Sequence, residues 1–204
     1  MTVPTIRRGT LVAVGILAAA GSWVAYRTGR DIPGQVVVLG DHGTSSGRAL
    51  VVYHPGLSDF QERVVRAFVV GLVARGWQVD LTTASARAPT TLTQYDLLVV
   101  GGPTYFWAPA RSIQRYVARL GDLGGKRTAI LITGAGAVAR SRSVMERLVR
   151  EAHGEVVVSL ALTTMRPNDE AAERAGESNR SAAERIAREA AQRVLLPSRA
   201  ATRP

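Results

Sequence analysis

Short apolar segments alternate with stretches of helical periodicity from Ala49 to Val194. The run ALVVY, which begins at Ala49, is continuously apolar, as is typical of a strand that is covered on both faces of a parallel sheet. The next segment has apolar residues at spacings of three and four, which indicates an amphipathic helix ending at Gly76. The apolar stripe of this helix consists of Phe60, Val64, Ala67, Phe68 and Leu72.

Four more strands continue this alternation. WQVDLTT alternates apolar and polar residues and suits a strand at the edge of a sheet, whereas DLLVVGG has the apolar character of a central strand. KRTAILITG and EVVVSLALT are the fourth and fifth strands. A last helix is expected after them, and residues 176–180 interrupt it. Strand–helix alternation predicts right-handed crossovers and an α/β fold with an open, doubly wound parallel sheet. QVVVLG, ahead of Ala49, either adds a short edge strand or lies on the surface.

The N-terminal part of the chain has a different character. Residues 10–26 form an uncharged run of about 17 residues bounded by arginines, near the lower limit for a membrane-spanning helix. Trp23 and Tyr26 lie at one end of the run, where interfacial aromatics are expected. We favour an uncleaved anchor because the run continues past the small residues AAAGS. A cleaved secretory signal is the alternative, and the arginines at both ends leave the side of the membrane undetermined.

The same pattern divides the chain into segments. We predict an N-terminal tail at 1–9, the anchor or signal at 10–26, a linker with a Gly/Ser/Thr cluster at 27–48, the α/β domain at 49–196, and a disordered tail at 197–204.

Composition and charge exclude several classes of function. The chain carries 26 Lys and Arg against 16 Asp and Glu, but the arginines are scattered and form no basic stripe interleaved with aromatics. We therefore predict no nucleic-acid partner. The cysteine count is zero, which excludes disulfides, thiol catalysis and Cys-ligated metals. We predict no metal site.

Ligands of doubly wound sheets bind beyond the carboxyl ends of the strands, where the strand order reverses. The first loop at that edge is HPGLSDF. Ser58 precedes Gln61 by three residues just ahead of the helix, which is a capping box. The same helix start favours a phosphate, and Gly56 lets the backbone approach it closely. Pro55 lacks an N–H group, however, and Asp59 would repel a phosphate unless it points away.

The second loop, GGPTYFWAPARS, has three consecutive aromatics in a connecting segment, Tyr105, Phe106 and Trp107. Such residues either stack on a flat aromatic ligand or cover the core or a protein contact. The third loop, TGAGAVARS, has glycines that let backbone N–H groups face a ligand, although turns need glycine in any case.

The three loops together resemble the flavodoxin-like family, which includes FMN-binding flavodoxins and related flavin-dependent NAD(P)H:quinone reductases. YDLLVVGGPTYFWAPA is the strongest match and is similar to the family's third strand and flavin-stacking loop. LITGAG is similar to the fourth strand and its loop. LVVYHPGLSDFQERVV takes the place of the first strand, phosphate loop and first helix, but it replaces the family's hydroxyl-rich hexapeptide. The resemblance covers about Ala49 to Leu162 and implies five parallel strands in the order 2-1-3-4-5.

The resemblance also implies FMN as the cofactor, with its phosphate in the first loop and its ring between the other two. The implied cofactor-binding residues are His54, Gly56, Leu57, Ser58, Phe60 and Gln61 in the first loop, Pro103, Thr104, Tyr105, Phe106 and Trp107 in the second, and Thr133, Gly134, Ala135 and Gly136 in the third.

We therefore predict a membrane-anchored flavodoxin-like protein that binds FMN and transfers electrons or hydride. NAD(P)H is the candidate donor, and a quinone or a redox protein is the candidate partner. A cofactor-less interaction module at the membrane is the alternative. No catalytic acid or base is expected, because a flavin itself carries the redox chemistry. Patterns for NTP hydrolysis, for NAD binding in a Rossmann domain and for a hydrolase nucleophile elbow are absent from the sequence.

Overall fold

The computed structural model describes residues 34–40, 47–165, 167–168 and 176–196. The predicted anchor at 10–26 and the predicted tail at 197–204 lie outside the described residues. None of the described helices has the length and apolar character that a bilayer crossing requires.

The described strands form one mostly parallel sheet. The strands are β1 (Val37–Leu39), β2 (Gly47–Tyr53), β3 (Trp77–Thr83), β4 (Leu97–Tyr105), β5 (Ala108–Pro109), β6 (Arg127–Gly134) and β7 (Glu155–Thr163). Their order is β1-β3-β2-β4-β6-β7, with the short β5 paired to β4. The predicted order 2-1-3-4-5 is confirmed for the five parallel strands, which here are β2, β3, β4, β6 and β7.

The QVVVLG segment forms an edge strand, which was one of its two predicted alternatives. Strand β1 pairs antiparallel with β3, so that Val37 lies opposite Leu81. Strand β3 is therefore not the outermost strand, contrary to the prediction, and most of its residues are buried. Because β1 lies within the predicted linker at 27–48, and β2 begins at Gly47, the sheet starts earlier than predicted.

Two of the described helices cover each face of the sheet. The helices are α1 (Phe60–Val73), α2 (Arg111–Leu120), α3 (Ala139–Glu151) and α4 (Asn179–Gln192). Helices α1 and α4 share one core with alternate residues of the strands, such as Val51, and α2 and α3 share the other with the intervening residues, such as Val52. Because both faces of the central strands are covered, their sequences are continuously apolar.

Helices α1 and α4 approach each other closely at Gly71. A Cβ atom at this position would collide with the backbone oxygen of Arg188 and would lie 2.7 Å from the Cβ atom of Ala191. The facing residues of α4 are small, and Ala183, Ala187 and Ala191 are fully buried. This packing brings the first turn of α4 beside the loop that follows β2.

A buried carboxylate joins three elements near the amino-terminal ends of the strands. Asp80 Oδ2 accepts hydrogen bonds from Arg48 Nη2 at 2.8 Å and from the Tyr95 hydroxyl at 2.7 Å. Burial, followed by the hydrogen bond to Asp80, raises the pKa of Tyr95 to about 12. This network lies at the edge of the sheet opposite to the predicted ligand site.

Candidate functional site

The three predicted loops meet at the carboxyl edge of the sheet. Strand β2 lies between β3 and β4, so the strand order reverses there, as in other doubly wound sheets that bind ligands at this point. A first cavity of about 240 Å³ opens between the loops. Its lining consists of Pro55, Gly56, Leu57, Ser58, Phe60, Gln61, Pro103, Thr104, Tyr105, Thr133, Gly134, Ala135, Thr164 and Arg180.

A second cavity of about 270 Å³ lies beside the first, and Thr104, Gly134 and Ala135 line both. Its other lining residues are Phe106, Trp107, Gly136, Ala137 and Val138. The two cavities therefore bring together all the sequence-predicted site residues except His54.

The His54 ring does not line either cavity. It is 1% exposed, and its Nδ1 atom lies 2.9 Å from the Ser112 hydroxyl oxygen in the first turn of α2. Its ring also packs edge-to-face with the Tyr105 ring, with the two centroids 6.3 Å apart. The structure thus places His54 beneath the loops, where it joins β2 to α2, and does not bring it to the site of the predicted phosphate contact.

Helix α1 begins without the predicted capping box. Asp59, not Ser58, occupies the N-cap position, and its side chain accepts no hydrogen bond from the backbone of the helix. Gln61 is buried, and one polar atom of its amide lies 2.6 Å from Thr133 Oγ1 in either orientation of the amide. The first backbone N–H groups of a helix have no intrahelical acceptor. No described side chain therefore caps the first N–H groups of α1. These groups and the exposed Ser58 hydroxyl lie beside the first cavity.

Arg180 supplies a cation to the first cavity. It lies in the first turn of α4, and its Nη1 atom is 3.1 Å from the Asp59 carboxylate. Its guanidinium carbon is 6.0 Å from the centroid of the Phe60 ring. Asp59 is also 3.8 Å from Arg63, whose pKa is raised by its hydrogen bond to Glu184. Arg180 therefore offsets the carboxylate that was expected to repel a phosphate, whereas the charge of Arg63 is shared with Glu184.

Two glycines allow the loops to approach each other. Gly56 has φ +88°, and a Cβ atom there would lie 3.2 Å from Pro103 Cγ. A Cβ atom at Gly134 would lie 2.6 Å from Val138 Cγ1. Larger residues at these positions would push the walls of the cavities apart.

A two-residue turn joins β4 to β5. Phe106 and Trp107 occupy it with φ values of +48° and +62°, a left-handed conformation that usually selects Asn and Gly. Such a conformation costs on the order of 1–3 kcal/mol at each bulky residue. The side chains of Phe106 and Trp107 are also 74% and 61% exposed. Strained and exposed aromatics contribute little to folding, which indicates a role in binding.

One polar side-chain atom at the border of both cavities forms no hydrogen bond within the described part of the chain. Among the described residues, the Thr104 Oγ1 atom is buried and has no hydrogen-bond partner. Buried polar groups are ordinarily satisfied. This hydroxyl is thus a candidate contact for a ligand that spans both cavities.

Solved structures with this arrangement of strands and helices are numerous. Flavodoxin 2 from Bacillus cereus is 20% identical, with a TM-score of 0.52 over 72% of this chain and 99% of its own. An NAD(P)H:quinone oxidoreductase from Methanothermobacter marburgensis is 16% identical, with a TM-score of 0.55 over 72% of this chain and 96% of its own. An azoreductase from Bacillus anthracis is 13% identical, with a TM-score of 0.55 over 72% of this chain and 100% of its own.

The chain has the flavodoxin-like fold. The predicted fold class is thereby confirmed for the described residues. No model of a protein family and no curated protein matches the sequence.

Sequence reasoning missed two residues that line the first cavity of this flavodoxin-like fold, Arg180 and Thr164. Residues 176–180 were expected only to interrupt the last helix. One local signal was present, because the Ser178 side chain accepts a hydrogen bond from the backbone N–H of Ser181 and so caps α4. This cap places Arg180 in a first helical turn. Its position beside Asp59 depends on the packing of α4 against α1.

Proposed function

We propose that this protein binds FMN across the two cavities and transfers electrons or hydride, and that residues 10–26 hold it at a membrane. A quinone is the candidate acceptor and NAD(P)H the candidate donor. The observation that carries this proposal is the convergence of three loops on two adjoining cavities at the reversal of strand order. One end of this site has a cation, Arg180, and the other end has exposed aromatics.

The residues present fit FMN in size and in chemistry. The two cavities together fall within the range of about 300 to 1,000 Å³ that is usual for small-molecule sites. At the phosphate end, Arg180, the Ser58 hydroxyl and the start of α1 favour an anion. At the ring end, Thr104 offers its hydroxyl and Trp107 its aromatic face.

FMN, when bound, supplies the redox chemistry, because its ring accepts and returns hydride or single electrons. The protein's own residues would bind FMN and orient its ring. The Tyr105 and Trp107 side chains would flank the ring, and the backbone of Gly134–Gly136 would meet its polar edge. The Asp59–Arg180 ion pair, which is partly exposed, would set the charge around the phosphate. No proton transfer is assigned to a side chain of this site.

One further observation supports the redox proposal, and another supports the membrane anchor. The neighbours named above are a flavodoxin, an NAD(P)H:quinone oxidoreductase and an azoreductase, which agrees with redox chemistry at the level of the fold. The uncharged run at 10–26 is the basis for the membrane anchor.

The test uses the full chain purified in mild detergent. We expect the protein to carry a visible flavin absorption band and to quench the fluorescence of added FMN. It should then oxidise NADH or NADPH in the presence of a quinone. A colourless protein that leaves FMN fluorescence unchanged would contradict the proposal and favour the cofactor-less interaction module.

A further inference from the structure

We propose that the carboxyl edge of the sheet, with both cavities, docks against the surface of an anionic phospholipid bilayer, and that the turn formed by Phe106 and Trp107 contacts the headgroup region. This inference rests on the membrane anchoring in the proposed function. It specifies which face of the domain meets the membrane and which residues make the contact.

The first argument is where the N-terminal segment joins the domain. Strand β1 is antiparallel to β3, so the beginning of β1 lies beside the end of β3. Gly34 accepts a hydrogen bond from Thr82 Oγ1 at 3.5 Å, and a Cβ atom on Gly34 would lie 2.7 Å from Thr83 Oγ1. The end of β3 belongs to the carboxyl edge of the sheet. The chain therefore leaves the domain at the same edge that carries the cavities.

The second argument is the reach of the connecting chain. Only residues 27–33 separate the uncharged run from Gly34. Seven residues span at most roughly 25 Å when fully extended. Strand β3 alone is seven residues long and spans roughly 23 Å. The tether would therefore have to run fully extended along the whole height of the sheet to hold the opposite edge at the membrane, which favours the carboxyl edge as the one close to the bilayer.

The third argument is the chemistry of the exposed aromatic turn. Phe106 and Trp107 are the two described aromatic side chains with large exposure, and both lie at this edge. Aromatic side chains are enriched where proteins meet the interface of a membrane. Their strained backbone keeps both of them at the tip of the β4–β5 hairpin.

The fourth argument is the charge on both sides of this turn. Arg111 lies in the first turn of α2 and Arg140 in the first turn of α3, and both are exposed. Neither forms an ion pair with a carboxylate in the described part of the chain. The first turns of α2, α3 and α4 have no acidic residue. Helix dipoles favour acidic residues there, so arginines at these positions do not serve the helices and are available to phospholipid headgroups.

In this orientation the second cavity would open toward the bilayer. Phe106 and Trp107 line that cavity and also form the docking tip. A lipid-soluble acceptor of the quinone class would then reach the ring end of the site without crossing water. The phosphate end, at Arg180, belongs to the first cavity.

The absence of cysteine from the sequence makes the orientation measurable, because each introduced cysteine is unique. We would prepare two forms of the full chain, Ala137→Cys and Arg75→Cys, and attach an environment-sensitive fluorophore. Ala137 is exposed at the carboxyl edge, and Arg75 is exposed ahead of β3 at the opposite edge. Both forms are reconstituted in vesicles of phosphatidylcholine and phosphatidylglycerol in equal amounts.

We expect iodide in the water to quench the label at position 137 several-fold less than the label at position 75. Nitroxide-bearing lipid should quench mainly the label at position 137. Adding Phe106→Ser, or both Arg111→Gln and Arg140→Gln, should restore iodide quenching at position 137 without changing it at position 75. High salt should act like the arginine substitutions, because it screens exposed charges.

Three results would overturn the proposal. Equal iodide quenching at both positions, with the protein still on the vesicles, would reject the docking and leave the anchor in place, and the aromatic turn would then serve a protein partner. Shielding that persists in the Phe106→Ser and arginine variants would reject the proposed contact residues. Release of the protein by an alkaline carbonate wash would reject the anchoring on which the proposal rests. FMN titration of the unlabelled wild-type chain in the same vesicles reports separately whether the flavin proposal holds.

Discussion

Arg180 and Asp59 form an ion pair of 3.1 Å, although they are 121 residues apart in the sequence. Arg180 lies in the first turn of α4 and lines the first cavity, and Asp59 occupies the N-cap position of α1, so the pair joins these two helices beside the cavity. Asp59 alone would disfavour an anion there. Arg63 also lies 3.8 Å from Asp59, but it pairs more closely with Glu184, at 2.6 Å, so Arg180 is the cation that faces the cavity.

The first prediction concerns the charge of Arg180. We expect Arg180→Gln to weaken FMN binding by about tenfold, because a hydrogen bond to a charged group contributes about 1.5–3 kcal/mol. Riboflavin, which lacks the phosphate, should bind the variant and the wild type equally well. Asp59→Asn should act in the opposite direction and tighten FMN binding, since it releases Arg180 from its partner. The measurement is fluorescence titration of both flavins.

Arg188→Gln is the matched control for this prediction. Arg188 is an exposed arginine two turns further along the same helix and does not line the first cavity. It should leave both affinities unchanged. An equal loss of FMN and riboflavin in Arg180→Gln would mean that Arg180 only holds the loop in place.

The fold was predictable because its signals are local. Residues such as Val51 and Val52 face opposite cores, so the strand is apolar at every position, and this pattern identifies a covered parallel strand. The loops after the strands follow directly from the strand positions. Arg180 was not predictable in this way, because its place at the cavity depends on the contact of Gly71 with α4. His54 was assigned to the site from its place in the sequence, but its ring turns inward to Ser112.

The second prediction concerns the strained turn between β4 and β5. Replacing both of its residues, Phe106→Asn with Trp107→Gly, should raise the free energy of unfolding by about 1–3 kcal/mol, because Asn and Gly adopt left-handed backbone readily. The same double variant should lose flavin affinity, since the Trp107 ring is gone. Urea unfolding and flavin titration measure the two effects.

The single variant Trp107→Ala separates these effects. It removes the aromatic ring but keeps a side chain at φ +62°, so we expect weaker binding, by about 1–3 kcal/mol, and little gain in stability. FMN and riboflavin should lose affinity alike, because they share the ring. A double variant no more stable than the wild type would show that the turn is not strained.

The third prediction concerns Gly71, in the last turn of α1. Gly→Ala within a helix usually stabilises by about 1 kcal/mol. Here the added methyl group would collide with the backbone oxygen of Arg188, so Gly71→Ala should destabilise the protein, since overpacking costs about 1–3 kcal/mol. Val70→Ala, at the neighbouring exposed position, should change stability little. A more stable Gly71→Ala variant would mean that α1 and α4 separate at little cost, and Arg180 would then be poorly fixed at the cavity.

The last prediction concerns the dependence of stability on alkaline pH. Burial, and then the hydrogen bond to Asp80, raises the pKa of Tyr95 from 10.0 to about 12. Above pH 10 the unfolded chain loses this proton, whereas the folded protein keeps it until about pH 12. The unfolded state then binds fewer protons, so the contribution of Tyr95 is complete below pH 10 and is lost progressively as the pH rises to about 12.

Tyr95→Phe removes this titration. The variant should be less stable than the wild type at neutral pH, because the Asp80 carboxylate loses the hydroxyl that donates to it. Between pH 10 and about pH 12, however, its free energy of unfolding should fall less steeply, so the two curves converge. Burial also raises the pKa values of Tyr53 and Tyr116, and since both residues are present in each protein they contribute to both slopes. Urea unfolding across this range measures the slopes, and parallel curves would mean that Tyr95 keeps its ordinary pKa in the folded state.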